Sequence, residues 1–394
     1  MLAPAIAASL NANLPARSKG LYVDGLDVLK NTEQGYGVPI SSIELVEAAP
    51  GQVSSLKFTI DDPNGVITIA DGAQVRFADL ARGPALFLGW VSSVSITAFG
   101  IGRFLAVECV GVESVLDWWQ VPAITWTSTQ GKDIIAGLVA RCYKTGGFPL
   151  RVAASAGTGF QSSLTYPTNH PLSNTTMTTP AGSLRAAIMY VSAVWVDSAV
   201  DTFPGKDIGA TVDFYGNLRT PGRGWTGSGV GYEHQDFAYL LTIDGATIRP
   251  SATEYQVDGG SATRGVVVTG SGVTVMVTDG TTATGQVAPM TSTSTTTDGA
   301  RATGLAYLKR NARSVTGSVT VDDALNAGSV GNEQHAGMGL MITDPNVGLS
   351  STQAPISEII KSFNADGTET WVISWGAPAS GAMLVRALTA STTV

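Results

Sequence analysis

The side chains best suited to chemistry in this chain are three histidines, and their settings offer little. His170 lies in Asn169-His170-Pro171, His234 in Tyr232-Glu233-His234-Gln235-Asp236, and His335 in Asn332-Glu333-Gln334-His335. None has the spacing of a metal-ligand pair, so each reads as an exposed or hydrogen-bonded loop side chain. Glu233, His234 and Asp236 carry donor types for a cation, but the same run describes a solvated turn, which is the reading adopted. Nucleophilic chemistry fares no better. A Gly-x-Ser-x-Gly elbow is absent, and Gly227-Ser228-Gly229-Val230-Gly231 reads as a flexible turn. Gly131-Lys132-Asp133 lacks both the upstream glycine and the Ser/Thr that a phosphate loop requires. Gly157 and Gly159 have no strand-then-helix setting. Carboxylate pairs Asp61/Asp62 and Asp322/Asp323 belong to turns and helix caps as readily as to a hydrolase cleft, where two inward carboxylates must flank the scissile bond. No catalytic, metal-binding or cofactor-binding residue is assigned, and no cofactor is expected.

The elements that would have to position such groups are mostly strands. Within 394 residues there are 46 glycines and abundant Thr, Val and Ser, which favour strands joined by tight turns. The length predicts two or three domains. Only 14% of residues are charged, against roughly 25% in an ordinary globular protein. A folded chain this poor in charge is expected to bury part of its exterior against partners. The net charge of −8 excludes a protein whose main work is gripping phosphates, but leaves open a lumen through which DNA passes without sticking. Two cysteines, Cys109 and Cys142, form no disulfide framework; Cys109, in an apolar strand, reads as a buried free thiol. Met1–Leu14 is apolar without the positive residues of a secretory signal, and is expected to be an arm packing on a neighbouring subunit. No window approaches the ~18 apolar residues of a membrane span, and no membrane insertion is expected.

Alternation of Leu56, Phe58 and Ile60 with polar residues predicts a strand with one buried face. Asp61-Asp62-Pro63-Asn64-Gly65 turns the chain, and Val66–Ala70 reads as the next strand. Asp71-Gly72 turns again before Gln74–Phe77. Leu86–Val91, Val94–Ile96 and Arg103–Cys109 follow, so five or six short strands form a small antiparallel barrel. Trp118-Trp119 reads as a hydrophobic lid, with carbohydrate stacking as the competing role. Helical spacing marks 133–141 and 184–191, with Ser128 or Thr129 to begin the first helix. Residues 151–182 read as a long loop or irregular hairpin, and 210–214 as a strand running into a turn at 215–218. Arg264–Thr269 and Val273–Thr278 around Gly270-Ser271-Gly272 predict a hairpin. The small polar run 281–299 is expected to be a loop that is mobile or ordered by a partner. A helix over 302–311 and strands over 337–342, 356–363 and 370–375 complete the chain. The pair 88–109 is similar in pattern to 355–373, which suggests two related barrels.

At this point the chain resembles the hub proteins of bacteriophage tail tips and baseplates, the minor tail proteins of contractile and long flexible tails. The resemblance rests first on the cadence FxIxDP … G-x-x-V … LFxGxV … V-x-C … VLD over Leu56–Asp117. It rests also on the middle α+β region ending at Phe214-Tyr215-Gly216-Asn217-Leu218, and on Ile356-Ser357-Glu358-Ile359-Ile360 with Glu369–Gly376. The expected fold is mainly β with an α+β insertion: two small antiparallel β-barrel-like domains plus an α+β domain, multidomain. The expected boundaries are 1–18 for an N-terminal arm, 19–118 for the first barrel and 119–222 for the α+β insertion. A second barrel with a small helical/loop subdomain then occupies 223–378, and 379–394 is a C-terminal tail.

The resemblance implies a non-enzymatic structural protein of the virion, made in the host cytoplasm. It would form a homo-trimer whose six barrels adapt the six-fold tail tube to a three-fold tip, organising host attachment and DNA passage. Its partners would be other phage tail proteins: the distal tail protein, the tape measure, and a tail fibre or spike. No specific nucleic-acid binding is implied. No C-terminal extension carrying a spike or fibre module is evident, so host recognition would fall to another protein. Two other readings stay open. Eight tryptophans and many polar loops fit a carbohydrate- or receptor-binding module; Trp90, Trp195, Trp371 and Trp375 fall in strand patterns and read as core, whereas Trp126 and Trp225 have loop-like surroundings. A wall hydrolase is the third.

Overall fold

The computed structural model describes residues 19–29, 37–49, 52–79, 85–127, 129, 131–143, 176–194, 211–212, 218–219, 241–245, 251–258, 263–278, 285–292, 295, 297–310, 314–322, 336, 339–364 and 368–376. The chain divides into two compact units. The first comprises Met1–Leu45, Ser55–Gly111 and Ser362–Thr368; the second comprises Val46–Ser54, Val112–Lys361 and Glu369–Val394.

The first unit is built on β1 (Lys19–Val23), β2 (Leu26–Asp27), the opening residues of β3 (Glu44–Ala48), β4 (Ser55–Asp62), β5 (Gln74–Asp79), β6 (Ala85–Phe99) and β7 (Gly102–Gly111). Hydrogen-bonded neighbours run β4-β7-β6-β5-β1-β2, with antiparallel pairing throughout. The ladder then returns to its start. Val28 N–H donates to the Leu21 carbonyl, Val38 N–H donates to the Val28 carbonyl, and Gly37 and Asp61 exchange two bonds of 2.9 Å. A closed barrel has no free edge to aggregate. Every second residue points inward: Leu56, Phe58 and Ile60 meet Leu105, Val107 and Cys109, with Leu21, Val75, Phe77, Phe87 and Val91 filling the rest. Phe363 joins this core edge-on to Phe77, with ring centroids 5.2 Å apart.

Two local expectations fail here for stated reasons. Val66–Ala70 is not a strand, because the Asp62 carboxylate takes the amides of Val66 and Ile67 (3.0 and 2.9 Å) that a ladder would need. Nor do Leu86–Val91 and Val94–Ile96 form separate strands. They are one 15-residue strand, whose register shifts between Val91 and Ser93. The extra residue is a bulge, which preserves the inward face on both sides of it. Trp90, expected in the core, lies on the outward face opposite Val110 and is half-buried.

Cys109 is buried as expected, and burial together with the neighbouring Glu108 charge pushes its thiol up to about 12. Its thiolate is scarce at pH 8. A maleimide reagent at that pH is therefore expected to label Cys142 alone in the folded protein and both thiols in denaturant, read by intact mass.

The second unit begins with α1 (Val115–Trp118), β8 (Gln120–Val121), β9 (Ile124–Thr127), α2 (Gly131–Arg141), β10 (Thr176–Thr179), β11 (Gly182–Ser183) and α3 (Leu184–Val194). β9 pairs with β10 and β8 with β11, both antiparallel. The buried stripes Ile134, Ile135, Leu138 and Leu184, Ile188, Val191 lie on α2 and α3, which pack on each other. β12 (Thr211–Val212) and β13 (Leu218–Arg219) pair antiparallel.

In the second unit the large sheet is made of β14 (Leu241–Ile243), β15 (Ala252–Asp258), β19 (Ser314–Val321), β20 (Gly339–Asp344), β21 (Leu349–Phe363) and β22 (Glu369–Trp375). Between β15 and β19 come β16 (Thr263–Gly270), β17 (Val273–Thr278), β18 (Gln286–Thr291) and helix α4 (Thr297–Arg310). The large sheet is ordered β15-β19-β22-β21, with β20 on β21 and β14 parallel to β20. Val319, Ile342, Ile356, Ile359, Trp371, Ile373 and Trp375 are among its buried core. As in the first unit, a 15-residue strand, β21, precedes a shorter neighbour. The inserted sheet, β17-β16-β18, buries Val266, Val268 and Val277 beneath Ala300 and Leu308 of α4. The expected β16–β17 hairpin forms, with Gly272 at φ 76° in its turn.

The expectation of a loop over 281–299 is overturned. Gln286–Thr291 is a strand parallel to β16, and α4 begins at Thr297. Pro289 is tolerated because β18 is the edge strand. No helix among the described residues is long and apolar enough to cross a membrane.

Candidate functional site

The most unusual surface in the described residues is the tip of the β6–β7 hairpin. Ile96, Phe99, Ile101 and Phe104 are all exposed there, Ile101 to 86%, and Val66 beside them is exposed to 67%. Phe99 and Phe104 lean together with ring centroids 4.8 Å apart. Gly100 takes φ 62° as the first of two turn residues between Phe99 and Gly102, the position a two-residue hairpin gives to glycine. That choice leaves Ile101 at the apex. Apolar side chains grouped on an exposed tip are costly in water, which makes this tip the candidate contact surface.

A polar brace fixes the tip. Asp62 and Arg103 are cross-strand partners on β4 and β7. Arg103 Nε donates to Asp62 Oδ2 at 2.9 Å, and its Nη2 donates to the Ile67 carbonyl. The carboxylate also accepts from the Val66 and Ile67 amides. Burial alone would push the Asp62 carboxyl up; the bonds from Ile67, Arg103 and Val66 outweigh it and hold the group below its ordinary value. The 63–66 turn is thus pinned against the hairpin. A Cβ on Gly102 would meet the Pro63 carbonyl at 3.0 Å, and one on Gly65 would meet the Ile101 carbonyl at 2.9 Å.

Sequence reasoning assigned no site and located the interface in Met1–Leu14 and 281–299. Met1–Leu14 lies outside the described residues, as do His170, Glu233, His234, Asp236, His335, Asp323, Trp195 and Trp225. Asp62 proves to be an ion-pair anchor instead of a plain turn residue. Asp322 accepts from Thr370 Oγ1 at 3.2 Å. Among the described residues, no group of His, Cys, Asp and Glu is arranged to hold a metal. Trp126, read as loop-like, is buried in β9; its Nε1 donates to Thr179 Oγ1 at 3.2 Å, and the Arg141 guanidinium covers its ring at 4.8 Å. That face has no room for a sugar. Trp119 is buried and Trp118 is exposed. The sequence did carry a signal for the tip: Ile96, Phe99, Ile101 and Phe104 cluster around a glycine turn, with apolar residues on both faces of the hairpin.

No family model matches the chain, and no curated protein matches it in sequence. Solved structures do. A tail protein from Neisseria meningitidis superposes with a TM-score of 0.60 at 10% identity, over 91% of this chain and 96% of that one. A 43 kDa tail protein of a Shewanella oneidensis prophage gives a TM-score of 0.60 at 14% identity, over 94% and 100%. A prophage tail protein from Listeria monocytogenes gives 0.51 at 11% identity, over 95% and 100%. Over more than nine-tenths of its length the chain therefore has the fold of phage and prophage tail proteins, as the resemblance implied.

Proposed function

We propose that this chain is a structural, non-enzymatic component of a phage tail tip, a baseplate hub. The observation that carries this reading is the shared fold over 96% or more of each of three tail proteins from different bacteria. In this reading three copies close into a ring in the virion. Two strand-rich blocks per copy supply six units around the axis, adapting a six-fold tube to a three-fold tip. Such a ring needs heterologous contacts that close, and the hairpin tip is one face of that contact, seated on a neighbouring copy. The distal tail protein, tape measure and a fibre or spike would be its partners, with DNA passing through a lumen and host attachment organised below it.

Light scattering of the purified chain over a range of concentration and salt tests this. A trimer near three times 40.6 kDa is expected. Ile101→Asp places a charge in the contact and is expected to weaken trimerisation about 10–100-fold, from the lost apolar burial and the desolvated carboxylate. A monomer at every concentration that also bound cell-wall glycans would replace the hub reading with a binding module. An Ile101→Asp protein with unchanged trimer affinity would move the contact away from the tip.

A further inference from the structure

The chain passes between its two units at Leu45/Val46, Ser54/Ser55, Gly111/Val112, Lys361/Ser362 and Thr368/Glu369. Within two residues of each crossing, on the second unit's side, stands a buried polar side chain: Glu47, Ser54, Glu113, Lys361 and Glu369. Most of these are answered. Glu47 accepts from Lys361 Nζ at 2.9 Å and from the Ala336 amide at 3.2 Å. Glu369 accepts from Trp371 Nε1 at 2.8 Å. Glu113 differs. Its Oε1 accepts from Ser54 Oγ at 3.2 Å, but its buried Oε2 has no hydrogen-bond partner among the described residues.

Among the described residues no cation is hydrogen-bonded to that carboxyl, and Arg185, whose charge does favour its ionised form, spends its donors elsewhere. Arg185, reaching in from α3, donates to the Glu113 backbone carbonyl, to the Gln52 carbonyl at 3.2 Å and to Asp117 of α1 at 2.8 Å. Lys361 on β21 is engaged by Glu47. Glu47 itself, from β3, adds a like charge. An ionised Glu113 would therefore be buried, short of hydrogen bonds and repelled, whereas the neutral acid fits.

We propose that Glu113 is a protonation latch: as the neutral acid it keeps the segment Val112–Trp118 packed into the second unit, and its ionisation loosens that segment. Burial, with the Glu47 charge adding to it, pushes the Glu113 carboxyl up to about 7, against the opposing effects of its own amide, Ser54 and Arg185. The folded protein thus holds this proton more tightly than the unfolded chain does. Stability is full below about pH 4.5 and is lost progressively as pH rises through 7.

Thermal unfolding of the full chain from pH 5 to 8.5, with hydrogen exchange of residues 112–118, tests the latch against Glu113→Gln. The second unit's Tm is expected to fall by roughly 5–10 °C over this range in the natural sequence, with faster exchange at 112–118. Glu113→Gln, always neutral, is expected to lose that part of the decline. The two proteins differ only at this carboxyl, so the difference between the two curves is the readout. Glu113→Met provides a second neutral variant should the amide fold poorly. Parallel pH profiles for the natural chain and a folded neutral variant would overturn the latch. The hub reading would stand either way, since it concerns assembly and the latch concerns one proton.

Discussion

Alanine in place of Lys361 is expected to cost the second unit about 3–5 kcal/mol, the loss typical of removing one partner from a buried ion pair. The pair is well enclosed, with Lys361 and Glu47 side chains only 6% and 3% exposed and 2.9 Å apart. Three further contacts depend on it. Lys361 Nζ sits 4.5 Å above the Trp371 ring, Glu47 Oε1 accepts from Ala336, and the Trp371 indole donates to buried Glu369. With the ammonium gone, the Glu47 carboxylate stays buried without its counter-charge, which is the source of the cost. Attraction within the pair is a smaller quantity, because desolvation offsets most of it. The two can be separated. Lys361→Met combined with Glu47→Gln removes both charges, keeps most of the volume and leaves an oxygen for Ala336. It is expected to lose less than half as much as Lys361→Ala. Urea unfolding followed by tryptophan emission measures both variants, since Trp371 lies directly beneath the ammonium. A Lys361→Ala protein within 1 kcal/mol of the natural chain would mean that Glu47 is neutral or hydrated there.

Alternation of apolar and polar residues was enough to find the inward face of β4, the core strands of both blocks and the hairpin at 270–272. These features are local, and a side-chain period of two is written in the sequence itself. Polar anchors were not legible for the opposite reason. Glu47 and Lys361 are separated by 314 residues, and nothing near either one indicates the other. Asp62 followed by Pro63 has the composition of a turn, and only the cross-strand register with Arg103 turns it into a buried ion pair. The exposure of the hairpin tip is not given by the strand pattern alone. Ile96 and Phe104 lie in strands, as expected, yet both are exposed, because apolar residues occupy both faces of this hairpin near its turn. At 286–291, the small polar residues on either side concealed a strand whose burial is slight and whose place is set by pairing with β16. The structure also explains the cadence that carried the resemblance. Its Asp is the brace, its first Gly holds φ 74° at Gly72, and its Cys is a core filler.

Gly89, the glycine of LFxGxV, carries the largest single-residue effect to be expected in the first unit. It stands opposite Gly111 across β6 and β7, at the point where β6 is also bonded to β5 through Val75. A Cβ built on it would fall on the Val110 carbonyl oxygen, closer than real Cβ atoms approach, and within 2.8 Å of the Phe87 ring. The obstacle is backbone in a ladder hydrogen-bonded on both sides, so no rotamer change relieves it. The strands must part, and the ladder bonds beyond the Val91/Ser93 bulge go with them. Gly89→Ala is accordingly expected to cost at least about 4 kcal/mol, the range reserved for severe core disruption, and to leave the first unit unfolded or partly so. Gly72→Ala is the matched control. Its φ of 74° is strained for alanine, but nothing lies within 4 Å of the new Cβ, so a cost of about 1–2 kcal/mol is expected. Limited proteolysis with mass readout distinguishes the two, through cleavage within 55–111 in Gly89→Ala and protection in Gly72→Ala. Equal protection would mean that β6 and β7 do not approach as closely as Gly89 and Gly111 require. The hairpin that would then be free to shift is the one carrying Ile101, so tight packing at Gly89 and the exposed tip are properties of the same pair of strands, β6 and β7.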